Sequence, residues 1–421
     1  MAVSFYRHTV ISFLFKGNMF IKYFKSIVLF CIFLLMYTFV FESFSQSRVL
    51  DHKSLGLEIP DKFVHPGIIH TSWDIKLMQK CVSEKKHPGY ECYLKLSSDK
   101  YSQYNYRVRG PFTVISRRDK GRPYEEDFNA AFQNSIMYVV TGEKAHAEKA
   151  SEILKLYAST LKLIDYADKT RPLLAGIMGL KFVYAAEMMR YTYPQGMSDN
   201  EFKKVCEMFK KVFVPVLEEF YITKPYTNGN WGASVNMAYI AIAVLLDDMK
   251  MYKKALDFYV GGNDNGNILN YIDGETGQCQ ETGRDQQHVQ LGLECLAKTC
   301  EIAYKQGTDL YGVYNNRLAI GYEYTSQYNL GYDVPYKVWK DITGKYCRWS
   351  EVSAVTKKEN NGVDTRRGVF RPIYEMVYNH YVNRKGLDMP FTKKVIDRIR
   401  PEGWFYEHFG FGTFLFNEDL Q

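Results

Sequence analysis

The stretch Gln280–Glu294, QETGRDQQHVQLGLE, collects Glu281, Arg284, Asp285, Gln286, Gln287 and His288 directly before a run with helical apolar spacing. A guanidinium, an imidazole and two carboxylates so close together are the types needed to grip an anion and move a proton. On a helix, Arg284, His288, Leu291 and Cys295 share one face. Arg284 and His288 are therefore expected to project together from a helix N-terminus, where the dipole and unpaired N–H groups favour an anion. A structural account is also open: Thr282 or Asp285 caps the helix, Arg284 pairs with Glu281, and His288 is satisfied in the core.

Three further segments carry candidate groups. In NGNWGASVN, Asn228–Gly229 signals a turn, and Asn230 stands where a helix cap belongs. An amide there can cap, or it can donate to a ligand carboxylate; Trp231 can stack on a sugar or wedge into the core. In GYEYTSQYNLGYDVPY, Tyr322, Tyr324, Tyr328, Tyr332 and Tyr336 are closely spaced, and Tyr324 and Tyr328 would lie one helical turn apart. In RRGVFRPIYEMVYNHY, Arg371 either bridges to Glu375 on a surface helix or grips a substrate carboxylate in two-pronged fashion, with Arg366 and Arg367 nearby. Metal-ligand spacing is absent, with no HExxH, no CxxC and scattered histidines.

The elements that must position these groups are helices. From about residue 125, DFNAAFQNSIMYVVTG and the segments after it repeat apolar residues at helical spacing between short Gly, Asn and Pro punctuation. Strand-like alternation is scarce, Phe112–Ile115 being the best case. ASVNMAYIAIAVLLDD is apolar almost all round, whereas EFKKVCEMFKKVFVPVLEEF has a Lys/Glu face. Alternation of fully and half-covered helices predicts an all-α toroid of antiparallel hairpins; a right-handed helical solenoid predicts much the same string, but no fixed-period repeat is present. The Gly- and Asn-rich loops Tyr226–Ser234 and Gly261–Gln280 are expected at one mouth of the ring, where a ligand binds.

The chain of 421 residues has globular composition and no Pro- or Ser-rich linker after residue 60, which points to one large domain over residues 47–421. Residues 1–46 have the layout of a secretory signal peptide: Lys22 and Lys25, an apolar run Ile27–Phe41, then small and polar residues. A retained anchor is the alternative, and Phe30 before Cys31 is a poor fit to lipid attachment. Export to the periplasm or medium is the expectation, with membrane contact only through the export signal. Removing that segment takes four basic residues and one acid, so the net charge falls from +7 to +4. A polyanion must then be attracted by local clusters, and no basic run suggests nucleic acid. Seven cysteines remain; most are expected to be small buried hydrophobes, with Cys81 and Cys92 able to pair.

Taken together, HPGIIHT, NGNWGAS, GQCQETGRDQQHVQLGL, QGTDLY and GYEYTSQYNLGYDVPY resemble the alginate lyase superfamily of polysaccharide lyases, in the branch of gut and marine polysaccharide degraders, over most of residues 60–385. The resemblance implies an α/α toroid that cleaves uronic-acid polysaccharides by β-elimination without a cofactor. It also implies an Asn–His pair in the loop matching GNW, and an Arg and a Tyr on a later helix. Asn230 fits the Asn, Trp231 stands where that His would be, Arg284 fits the Arg, and His288 lies near the place of the Tyr.

Elimination requires donors that drain charge into the sugar carboxylate, a base for the C5 proton and an acid for the C4 oxygen. Asn230 and Arg284 are the expected donors and His288 the base. Tyr324 is the first choice as acid, followed by Tyr328 and Tyr322. Trp231, Asn228, Gln287, Glu281, Tyr328, Tyr322 and Arg371 are the expected substrate contacts, and alginate the expected substrate. Another uronan such as glucuronan or a glycosaminoglycan is the nearest rival. An inverting glycoside hydrolase using Glu281 and Asp285, and a non-catalytic glycan-binding protein, are the readings from other classes.

Overall fold

Helices covered on both sides alternate with helices covered on one. In the computed structural model, which describes residues 51–337, 339, 367–416 and 418, residues 51–421 form one compact unit. The main helices, in order, are α1 Ser72–Ser83, α2 Gly89–Ser98, α3 Pro123–Thr141, α4 Lys144–Thr160, α5 Arg171–Thr192, α6 Asp199–Met208 and α7 Val214–Thr223. They continue with α8 Gly229–Leu245, α9 Met249–Gly261, α10 Gln286–Lys305, α11 Val313–Asn329, α12 Glu375–Tyr378 and α13 Pro390–Ile399. The signal-peptide reading of residues 1–46, Cys347 and Arg366 all fall outside the described residues.

Helices α3, α5, α8 and α10 form the inner layer; α8 packs on both α5 and α10, and α3 on α5. All of α8 except Trp231 is buried, as its all-round apolar sequence requires. Helices α4 and α9 lie outside, each burying one stripe against its inner partner, while α6 buries its stripe against α4 and runs on through residues 209–213 into α7, which packs on α8. The ring rather than the solenoid is what forms. Lys305 at the end of α10 donates to Asp74 near the start of α1 at 2.7 Å, across 231 residues, and α1 packs on α3. The short strand pair Val114–Ile115 and Leu163–Ile164 is parallel and marks where the loop before α3 meets the loop before α5.

The inner helices α3, α5, α8 and α10 begin at one mouth, where α4, α7 and α9 end, as antiparallel neighbours require. Hydrogen bonds stitch the loops there: Lys224 Nζ donates to the Lys169 carbonyl at 2.6 Å, and Gly229 N–H to Gln280 Oε1 at 2.9 Å. The positive ends of the inner helices thus point towards one opening.

The opposite end is held by the HPGIIHT segment. His65 stacks on Tyr191 with ring centres 4.3 Å apart, and its nitrogens meet Glu187 at 2.8 Å and Asp247 at 3.1 Å. Burial pulls the His65 pKa down, but the two carboxylates more than offset this and hold it above its ordinary value. Burial raises the Glu187 pKa, against the opposing effect of His65. A group with a raised folded pKa stabilises fully below its unfolded value and loses that contribution as pH rises through the folded one. Thermal melts of wild type against His65→Gln are therefore expected to differ most near pH 5–6, with the gap closing towards pH 9. A gap that does not change with pH would dismiss this linkage.

The six described cysteines are free thiols. Cys81 and Cys92 do not pair; the Cys92 thiol donates instead to the Glu402 carbonyl at 3.2 Å. The Arg371–Glu375 bridge, one of the two readings of Arg371, is also replaced. Glu375 takes Arg400, whose Nη2 lies 2.7 Å from Oε2, and the Arg371 guanidinium sits over the Phe405 ring at 4.0 Å.

Candidate active site

Glu281 is the hub of the mouth between α8 and α10. Its carboxylate is fully buried and accepts from Asn230 N–H at 3.0 Å, from Asn230 Nδ2 at 2.7 and 2.8 Å, and from Arg284 Nη1 at 2.9 Å. The Tyr271 hydroxyl stands 3.3 Å from the same carboxylate. A buried anion needs this many donors, and here they come from three separate segments.

Asp285 forms the second node. It caps α10, accepting from His288 N–H at 2.9 Å, and its Oδ2 also lies 2.7 Å from His288 Nδ1. Arg284 Nε approaches Asp285 Oδ2 at 3.4 Å. Burial pushes the Asp285 carboxyl up, but His288 and Arg284 outweigh it and hold it below the usual range. A carboxylate on Nδ1 fixes that nitrogen as the protonated one and leaves Nε2 as the basic atom. The His288 and Arg284 side chains are 29% and 19% exposed, so both reach the opening, whereas Glu281 does not.

The geometry departs from the sequence expectation at several residues. Arg284 is not on the helix with His288; Asp285 is extended, at φ −165° and ψ 159°, and Arg284 lies in the turn before it. The cap of α8 is Asn228, and Asn230 lies in the first turn. Asn230 directs its amide N–H groups at Glu281, which makes it a strut and not a donor to a ligand. Glu281, expected to touch substrate, is sealed off. Two of the three parts of the structural account hold, since Asp285 caps and Arg284 pairs with Glu281; the third does not, because His288 is held by Asp285 at the surface and not in the core.

The tyrosines are not brought to this centre. The Tyr324 hydroxyl donates to the Pro335 carbonyl at 2.7 Å, and burial, followed by the nearby Cys279, raises its pKa. Tyr322 is fully buried, with its hydroxyl 3.3 Å from the Ile373 carbonyl. The Tyr328 ring carries the Arg367 guanidinium at 4.1 Å. Arg371 is buried, and its N–H donates to Gln290 Oε1 at 2.8 Å. Of the other expected contacts, Gln287 is partly exposed on the first turn of α10, Asn228 is buried with Gln280 Nε2 3.4 Å from its Oδ1, and Trp231 is partly exposed.

Tyr271 and Asp285 as His288 partner were missed. Two glycines signal Tyr271: a Cβ on Gly229 or on Gly292 would collide with its ring or hydroxyl. Gly292 stands inside the buried part of α10, a position that a glycine occupies when something approaches closely.

The sequence matches the alginate lyase family over residues 83–333. The fold is similar to that of alginate lyase A1-III from Sphingomonas species A1, with a TM-score of 0.59 at 14% identity, covering 85% of this chain and 97% of that one. A His→Ala variant of A1-III complexed with a tetrasaccharide gives a TM-score of 0.59 at 13% identity, covering 82% and 94% of the two chains. An alginate lyase from Bacteroides ovatus gives 0.51 at 12% identity, covering 79% and 96%. No curated protein matches the sequence.

Proposed function

The chain belongs to the alginate lyase family of polysaccharide lyases, and from that premise we propose that it cleaves alginate by β-elimination, with His288 as the base. The observation that carries this reading is the His288–Asp285 pair at the mouth of the ring, oriented by 2.7 Å contact at Nδ1 and open at Nε2. His288 Nε2 takes the C5 proton, the electron pair forms the C4–C5 double bond, the C4–O bond breaks, and the leaving oxygen takes a proton. The resulting imidazolium can return its proton to that oxygen where both lie on one face of the ring. Arg284, at the opening, stabilises the carboxylate as charge spreads into it; such a donor is worth about 3–4 kcal/mol.

The hydrolase reading loses its support. Neither carboxylate is placed to flank a glycosidic bond: Glu281 is enclosed by its donors, and Asp285 is held by His288. That a variant of A1-III, a protein of the same fold, is complexed with a tetrasaccharide supports an oligosaccharide substrate for this chain.

Incubation with alginate, glucuronan, hyaluronan and a neutral glycan, followed by ultraviolet absorbance, tests the proposal. An unsaturated uronate is expected from alginate. Absorbance from another uronan alone would move the substrate; reducing ends without absorbance would reject elimination.

A further inference from the structure

The reaction centre lacks positive charge. Arg284 is flanked by Glu281 and Asp285, so with a neutral imidazole the four side chains sum to −1. An acidic sugar chain needs compensating cations close by, and the wall beyond Trp231 supplies them. We propose that Trp231, Lys224, Arg171 and Tyr166 form a binding site for an acidic sugar residue adjacent to the one being cleaved, a proposal that rests on the uronan reading above.

Two cation–ring pairs build this wall. Lys224 Nζ lies 5.8 Å from the Trp231 ring centre, and the Arg171 guanidinium lies 4.8 Å from that of Tyr166. The Lys224 Nζ bond to the Lys169 carbonyl at 2.6 Å joins the two loops. Trp231 follows Asn230 directly and is the one residue of α8 not buried, while Tyr166 is 72% exposed. Both rings thus face outward, where a sugar face can lie on them.

Internal pairing does not use up the donors of these cations. The Arg171 side chain is only 9% exposed, Glu219 engages its Nη2, and its Nη1 has no hydrogen-bond partner among the described residues. A buried N–H left without an acceptor is costly, and a ligand carboxylate would satisfy it. Lys224, part-buried and close to Arg171, has its ammonium pKa lowered by burial first and then by that like charge. The opposite charge of an incoming carboxylate offsets both effects. With Lys169 counted, the neighbourhood holds three cations against Glu219 and the hydrogen-bonded Asp168. It is the positive complement to the centre beside it.

Calorimetric titration of the full chain carrying His288→Ala, which prevents turnover, separates this from the lyase reading. The probes are tetrasaccharides of alginate, glucuronan and hyaluronan, with a carboxyl-reduced tetrasaccharide as the neutral control. Adding Lys224→Met is expected to raise Kd for the tightest acidic probe about tenfold, the loss of one charge-assisted contact, and to flatten its salt dependence. Tyr166→Ala, on an exposed side chain that the fold does not need, is expected to raise Kd about threefold or more through lost stacking. Unchanged affinity in both variants overturns the site, as does failure of all three acidic probes to bind or equal binding of the neutral control. Acidic-probe binding that depends on Lys224, in a protein that yields no unsaturated product, upholds the site and rejects only the lyase chemistry.

Discussion

Replacing His288 by alanine is expected to lower kcat on the preferred uronan by about 10²–10⁴-fold, the range for loss of a positioned general base, with the midpoint of thermal unfolding little changed. The side chain is partly exposed, and its ring bonds only to Asp285 among the described residues. Its backbone N–H, which α10 does need, survives the substitution. Asp285→Asn is the informative companion. Asparagine caps as well as aspartate, so α10 stays in place, but it removes the charge that fixes the imidazole tautomer. A loss on the order of a hundredfold or more is expected from the wrong tautomer. Tyr324→Phe, by contrast, removes a bond to the Pro335 carbonyl and leaves the hydrogen bonds among Glu281, Asp285 and His288 in place, so turnover is expected to fall by less than about tenfold, the scale of one ordinary hydrogen bond. Steady-state rates from unsaturated-uronate absorbance check all three. Near-normal kcat in His288→Ala would remove the imidazole from the chemistry, and a collapse in Tyr324→Phe would reinstate the phenol.

How much of this was readable without coordinates depends on how local each cause is. The apolar circumference of α8 and the charged outer faces of α4, α6 and α9 are properties of short windows, and they dictate which helices are inner and which outer. The capping of α10 by Asp285 and the pairing of Arg284 with Glu281 were likewise legible, because each joins residues three apart. The phase between Arg284 and His288 was not: one extended residue at Asp285 breaks it, and capping geometry is not visible in periodicity. The hub at Glu281 escaped for a different reason. Its donors Asn230 and Tyr271 lie 51 and 10 residues away, so whether the carboxylate faces substrate or protein is decided by tertiary packing. Residue type alone made Glu281, Tyr322 and Arg371 plausible substrate contacts; burial removes Glu281 and Tyr322 from the opening and turns Arg371 onto Phe405.

Glu281→Gln separates these two kinds of role most sharply. If the carboxylate organises the centre, the substitution weakens the fold and the chemistry together. The one remaining amide oxygen can keep Asn230 Nδ2 and Arg284 Nη1, but the N–H₂ then faces the Asn230 backbone N–H, and the charge opposite Arg284 is gone. Removing one member of a buried pair typically costs about 3–5 kcal/mol when the partner is stranded. Arg284 keeps Asp285 at 3.4 Å and some exposure, so a loss of about 2–3 kcal/mol in urea unfolding is expected, between an unmet hydrogen bond and a stranded charge. kcat should drop with it, because Arg284 and the first turn of α8 are no longer held in register, and a small misplacement of this kind can cost on the order of a hundredfold. Glu281→Ala removes the acceptor of the Asn230 N–H and amide and of Arg284 Nη1 at once, deep in the protein, and is expected to yield little folded protein. A substrate contact would behave in the opposite way: KM would rise in Glu281→Gln, while the urea midpoint and kcat stayed at their wild-type values.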